Sequence, residues 1–350
     1  MSESSFLKRR WKLVVNIATV VALIVLVYAV RHQLVDTLEN LKKVNVWALL
    51  LLFPIQWINY DSQARLYRGL FAVVGNKLSY KFLLKTSLEL NFVNSVFPSG
   101  GVSGISYYGV RMRSKDITGG KATLVQIMKL MLLFLSFEIL LVVGLLIMAI
   151  GGRVNDVVIL VSGSLSTLLL VGTAAFVLII GSEKRIAVTF TALTKGLNRM
   201  IQIFRPQHPE TIKIAKARRA VEELHVNYKV IEEHYKDLKW PFIWALVANL
   251  SEVMAVYVVY IAFDHWVNFG SIILAYSVAN FAGLVSVLPG GVGIYEALMT
   301  AVLAATGVPA ALSIPVTVMY RVLNMLIQLP PGYYYYHRTI VSGKGPEPHA

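Results

Sequence analysis

The chain has 350 residues, of which 56% are hydrophobic and only 15% charged; soluble domains carry about one quarter charged residues, so a soluble enzyme is excluded. Lys and Arg number 33 against 19 Asp and Glu, a formal charge of +14, and in so apolar a chain the surplus marks basic cytoplasmic loops facing anionic lipid, not a nucleic-acid surface. The absence of cysteine removes disulfides, thiolate metal sites and Cys nucleophiles, and the seven histidines show no metal-ligand spacing, so no metal and no cofactor is expected.

In chain order, the first apolar run follows Lys8, Arg9, Arg10 and Lys12. It is long for a signal peptide and lacks a small-residue cleavage site, so it reads as a retained span over 12–30. Further spans are predicted at 46–64, 122–150, 155–180, 241–263 and 310–337, with shorter apolar segments at 79–97 and 269–288. Four basic residues before the first span place the N-terminus inside. Loops 1–12, 61–85, 98–121, 181–239 and the C-terminal tail then fall inside, and each has more Lys and Arg than Asp and Glu, whereas loops 31–45, 151–156 and 264–268 fall outside and together balance. The fold class is all-α: a polytopic helical protein of the cell (plasma) membrane, both termini cytoplasmic, forming a single integral membrane domain over 1–350. Segment 79–97 has basic residues on both flanks and must return to its own side. A break at Pro98-Ser99-Gly100-Gly101 would make it a re-entrant element, tolerated only where protein or a wet cavity meets its freed backbone groups. Asp61 and Arg65 read as an ordinary i,i+4 helix pair. Within the basic cytoplasmic loop 181–239, Ala217, Val221, Leu224, Tyr228, Ile231 and Tyr235 recur at helical spacing, which fits either an amphipathic hairpin on the membrane surface or a solvated pair joining two halves. Tyr333 to Tyr336 read as an interfacial aromatic belt.

The chain contains a repeat. Asn91-Phe92 through Pro98-Ser99-Gly100-Gly101-Val102 finds its counterpart in Asn280-Phe281 through Pro289-Gly290-Gly291-Val292-Gly293-Ile294. After each break a connecting stretch leads to a long span with a basic residue at a matching place, Lys129 or Arg321. Under the charge-derived topology the two units, 46–150 and 241–338, face opposite ways. Inverted repeats with Pro/Gly-broken segments at corresponding positions are the sequence mark of a midplane transport site.

Ionisable residues at membrane depth cost at least about 2.5 kcal/mol each and become functional candidates by default. Here they are Glu89, Lys129 and Glu138 in the first half and Glu252, Glu296 and Arg321 in the second. Lys129 and Arg321 suit the phosphate of a lipid headgroup, Arg321 in bidentate fashion; alternatively Glu296 or Glu252 neutralises Arg321, and Glu89 or Glu138 neutralises Lys129, in pairs that only hold helices together. The amides of Gly100, Gly101, Gly290, Gly291 and Gly293 are unobstructed, and a short helix after each break would offer its N-terminus to an anion. Asn91, Asn94, Asn280 and Asn324 either bridge polar groups in a cavity or hydrogen-bond between helices. Arg111 and Arg113 either attract anionic headgroups at the cytoplasmic mouth or enforce topology. No nucleophile elbow, phosphate loop or close carboxylate pair is present, so a non-catalytic role is expected.

These residues resemble a known family. Pro289-Gly290-Gly291-Val292-Gly293-Ile294-Tyr295-Glu296, then Gly307-Val308-Pro309 and Tyr320-Arg321, are similar to the C-terminal PGGxGxxE and YR pattern of the lysylphosphatidylglycerol synthase transmembrane-region family, also called flippase-like integral membrane proteins, and the resemblance runs from about 10 to 338. Phe97-Pro98-Ser99-Gly100-Gly101 and Arg111 match its N-terminal pattern, but Gly104-Ile105-Ser106 stands where an acidic residue is common, and Lys129 replaces a frequent arginine. The resemblance implies a family in which some members carry a cytoplasmic aminoacyltransferase and translocate its lipid product, while others are associated with polyprenyl-linked glycan assembly.

The expected function is therefore a flippase-like lipid transporter that moves a phosphate-bearing headgroup between leaflets through a midplane cavity. Its partners would be membrane lipids: an anionic or zwitterionic phospholipid, or a polyprenyl-phosphate-linked glycan. The alternative is an integral membrane transferase acting on lipid-phosphate-linked substrates with Glu296 as base, or an accessory protein that binds a separate synthase or transferase through loop 181–239.

Overall fold

The computed structural model describes residues 3–97, 102–152, 154–189, 191–192, 226–285 and 293–341. Within them the regular structure is helical, with no strand among the described residues. The order is α1 (Glu3–Leu41), α2 (Val46–Leu49), α3 (Leu52–Val73), α4 (Tyr80–Val96), α5 (Val102–Arg113), α6 (Gly119–Ile150), α7 (Asp156–Ile180), α8 (Lys239–Ala262), α9 (Phe269–Val285), α10 (Ile294–Ala305) and α11 (Ala310–Val341). The starts follow local chemistry. Asn45, Ser79, Thr118 and Asn155 each accept hydrogen bonds from the first-turn amides of α2, α4, α6 and α7, groups that have no partner inside the helix.

Among the described residues five stretches are long and apolar enough to cross a bilayer: Ile17–Leu41, Gly119–Ile150, Asp156–Ile180, Tyr235–Ala262 and Ala310–Ile340. The span predicted at 46–64 is displaced, because α3 begins at Leu52 and continues through Asp61, Arg65 and Arg68 to Val73. A charged residue ends a hydropathy window but not a run of backbone hydrogen bonds. Here Arg65 pairs with Asp61 at 2.7 Å and lies 4.8 Å from the Trp244 ring, which keeps the charge at the helix surface.

Among the described residues α4 and α9 each cover 17 residues, α5 and α10 each cover 12, and α6 and α11 each cover 32. At 1.5 Å per residue these run to about 26, 18 and 48 Å, so only the last pair exceeds a hydrocarbon core of about 30 Å. Packing crosses between the halves: α4 lies along α11, α9 along α6, and α3 along α8. Small residues permit the close approaches. A Cβ on Gly270 would collide with the Gly144 carbonyl oxygen, and one on Gly332 would sit 2.7 Å from Phe92 Cβ. Between helices in lipid such contacts provide packing that the hydrophobic effect does not. Helix α1 lies against α11 and α4, and α7 lies outside on α6 with most of its apolar surface exposed.

The tyrosine run does not form a uniform belt. Successive helical residues turn by about 100°, so Tyr334 is 56% exposed while Tyr336 is 6% exposed and packs on Phe92, Phe97 and Tyr107. Most of loop 181–239, with Ala217, Val221 and Leu224, lies outside the described residues; residues 226–233 are helical.

Candidate functional site

Polar residues spaced one turn apart face inward from several helices at once. Asn59 and Gln63 do so on α3, Asn249 and Glu252 on α8, Tyr276 and Asn280 on α9, and Tyr320, Asn324 and Gln328 on α11, each set at the i,i+3 or i,i+4 interval that stacks side chains on one helix face. With Asn91 and Asn94 of α4, Lys129 of α6, Tyr295 of α10 and Arg321 they line one cavity of about 420 Å³. Lys129, Glu252, Arg321 and Asn324 belong to the candidate spans, so the cavity is a polar chamber among membrane helices.

The two cations have different surroundings. Lys129 Nζ lies 3.3 Å from Gln63 Oε1 and 3.2 Å from Tyr67 Oη, and 4.4 Å from the centre of the Tyr67 ring. Tyr67 is held in turn by donating to Gln126 Oε1 at 2.7 Å and by stacking on Tyr108. Among the described residues no carboxylate lies within ion-pair distance of Lys129. Arg321 instead donates to Glu296 Oε1 in a buried ion pair and sits 4.9 Å from the Tyr295 ring centre. Glu296 also receives Gln33 Nε2 from α1 at 2.8 Å and the Gly293 amide at 2.7 Å. Gly293 has φ +88, a conformation costly for residues with a Cβ, and this lets its amide turn onto Glu296 at the first turn of α10.

Glu252 is met by neutral donors, Tyr320 Oη at 2.8 Å and Asn324 Nδ2 at 3.5 Å, both onto Oε2. Gln328 ties Asn324 to Gln56, at 2.7 and 3.2 Å. On the facing wall Gln63 donates to Asn59 Oδ1 at 2.7 Å, and Asn59 donates across to the Ala248 carbonyl and Ser251 Oγ, each at 3.0 Å. Two buried donors lining it, Asn280 Nδ2 and Tyr295 Oη, have no hydrogen-bond partner among the described residues. An acceptor-bearing ligand or water in the chamber would satisfy them.

Of the residues singled out from sequence, Lys129, Arg321, Glu252, Asn91, Asn94, Asn280 and Asn324 meet in this cavity, with Glu296 directly behind Arg321. Others lie elsewhere. Glu89 is buried with Arg111, whose Nε is 2.9 Å from Glu89 Oε2 though not aligned on it, and it also accepts Tyr107 Oη at 3.0 Å and Thr339 Oγ1 at 2.8 Å. Arg113 is exposed in the last turn of α5. Glu138 does not reach the cavity; nine positions from Lys129 on the same helix it faces the opposite side, and its Oε2 is buried without a partner among the described residues. Neutralisation of Lys129 by Glu89 or Glu138 is thus corrected, because one is bound to Arg111 and the other points away. Asn94 packs on Gly104, where a Cβ would collide with its Oδ1, so a larger acidic side chain would displace it. Pro98, Ser99, Gly100, Gly101, Pro289, Gly290 and Gly291 lie outside the described residues.

Sequence reasoning missed Asn59, Gln63, Tyr67, Gln328 and Gln33. Neutral amides and tyrosines pass a filter set for charge; the i,i+4 pairing of Asn59 with Gln63 inside an apolar run is the signal that could have found them.

Long apolar helices around a polar chamber define a multi-pass helical membrane protein. The family described as the lysylphosphatidylglycerol synthase TM region matches residues 14–332, and the chain belongs to that family. It is also similar to a UPF0104 membrane protein of Methanothermobacter thermautotrophicus, 29% identical over 99 residues, which are 28% of this chain and 30% of that protein. The matched stretch therefore spans about a third of the relative's length.

Proposed function

We propose that the chain is a flippase-like lipid transporter of the plasma membrane, in which a phosphate-bearing headgroup enters the cavity and crosses between leaflets while its tails stay in lipid. The observation that carries this reading is Lys129: a cation inside a membrane span, presented to a polar chamber by a glutamine and a tyrosine, with no carboxylate in contact among the described residues. Asn280 Nδ2, a buried donor without a partner among the described residues, adds a second group for phosphate oxygens. Glu296, with three donors already on it, is poorly placed to act as the base of a transferase.

Two inverted repeats would supply alternating access. The crossed packing of α4 on α11 and α9 on α6 supports that arrangement. So does a constant shift of 189 residues, the separation of the hydrogen-bonded Asn59 and Ala248, which also relates Asn91 to Asn280 and Gln63 to Glu252. Residues that touch their own counterparts belong on a pseudo-two-fold axis, and α3 and α8 cross there. The surplus of Lys and Arg in the loops assigned to one side supports a cytoplasmic position for both termini.

The test is leaflet accessibility of fluorescent phosphatidylglycerol in proteoliposomes. Wild type is expected to move the lipid without altering its mass, and Lys129→Ala to slow it about tenfold or more, the loss of one charge-assisted contact. Unchanged scrambling in both Lys129→Ala and Arg321→Ala would refute the reading.

A further inference from the structure

The charges lining the cavity are not all cancelled by contact. Arg321 and Glu296 neutralise each other directly. Lys129 and Glu252 do not: the first rests on Gln63 and Tyr67, the second on Tyr320 and Asn324, and among the described residues neither is within ion-pair distance of an opposite charge. With both groups charged, the described residues give the chamber one such cation and one such anion, which balance. A phosphodiester docked on Lys129 adds a negative charge and cancels the lysine, which leaves Glu252 as a net charge among membrane helices, a costly state.

The groups that could answer that charge are few. Facing Glu252 across the cavity are Lys129 of α6, Tyr276 of α9, Tyr295 of α10, and Tyr320 and Arg321 of α11. Tyr60 lies on α3, the helix that packs along α8, and Glu296 stands behind Arg321. With phosphate on Lys129 and Glu296 on Arg321, both cations are engaged and the tyrosines supply only neutral dipoles. The first half shows the neutral alternative: the residue related to Glu252 by the 189-residue shift is Gln63, an amide with the shape of a protonated glutamic acid.

We infer that Glu252 takes up one proton from water whenever an anionic phosphodiester headgroup docks on Lys129, so that lipid and proton occupy the cavity together. The inference rests on the transport reading above. The proton forms an O–H bond on Oε1, since Tyr320 and Asn324 both donate to Oε2, and no other covalent bond changes. A zwitterionic headgroup brings its own cation and needs no proton. By linkage, proton uptake on binding and tighter binding at lower pH are one effect.

The experiment uses the purified full chain in detergent with dihexanoyl phosphatidylglycerol as the probe. Calorimetry in two buffers of different ionisation enthalpy counts the protons taken up, and a dye in weakly buffered solution checks the count. Wild type is expected to take up about one proton per lipid bound, and its affinity to fall by up to about tenfold per pH unit where free Glu252 is ionised. Glu252→Gln should bind more tightly than wild type at pH 8, with no proton exchange and a flat pH profile. Dihexanoyl phosphatidylethanolamine should bind wild type without proton uptake. Lys129-dependent binding of phosphatidylglycerol with no proton taken up in wild type would overturn the inference alone, as would uptake that persists in Glu252→Gln. No binding, or binding indifferent to Lys129→Ala, would remove the transport reading and this inference with it. The buffer comparison is made on wild type, so poor folding of a variant does not rescue the idea.

Discussion

Lys129 and Arg321 occupy helices of equal length and line one cavity, yet the protein treats them differently. Arg321 faces a carboxylate, with the Gln33 amide and the Gly293 N–H locking that carboxylate in place. Lys129 faces a glutamine oxygen and a tyrosine hydroxyl. The planar arginine fork suits a fixed pair, whereas a lysine is a mobile point charge that can change partners. The contrast separates a cation that holds helices together from one left available to a ligand.

Removing each cation should expose that difference most strongly. Arg321→Ala leaves a buried carboxylate without its guanidinium and is expected to cost about 3–5 kcal/mol of stability, read by thermal unfolding in detergent, whereas Lys129→Met breaks no ion pair among the described residues and leaves Glu252 free to be neutralised by a proton, so it should stay within about 1 kcal/mol of wild type. Equal losses would break the comparison. Next in size is Gly270→Leu, which forces α9 away from α6 at Gly144 and should cost about 1–3 kcal/mol by overpacking. It also sharpens the contrast, since Lys129 and Asn280 ride on those two helices: lipid movement should drop while the Arg321–Glu296 pair is left untouched. Smallest is Arg65→Ala, whose exposed i,i+4 bond to Asp61 should be worth less than about 0.5 kcal/mol in the same melt.

Much of this was legible in the amino-acid order, for a physical reason. Lys129, Glu252 and Arg321 stand out in apolar runs because bilayer insertion penalises charge, and Asn91 and Asn280 stand out because their flanks repeat. Lengths were harder to read. Helix α3 runs on past Asp61 because hydropathy reports the surroundings of a helix, not its hydrogen bonding. Partner choice was hidden altogether: Glu89, Glu138, Glu252 and Glu296 are equivalent as carboxylates, and only packing decides that Arg111 takes the first and Arg321 the last. Nor could Gln33 be anticipated, since it lies on a helix outside both repeat units and its partner is remote in sequence.

That remoteness bears on how the protein is made. Gln33 and Glu296 are 263 residues apart, so at a synthesis rate of about 5–20 residues per second, roughly 13–50 s separate the emergence of one from that of the other. Throughout that interval the first helix sits in the bilayer with an amide that its eventual acceptor cannot yet reach. A ribosome that stalls before α10 therefore releases a chain with an unmet polar group in lipid, a handle by which membrane quality control could distinguish unfinished copies from complete ones.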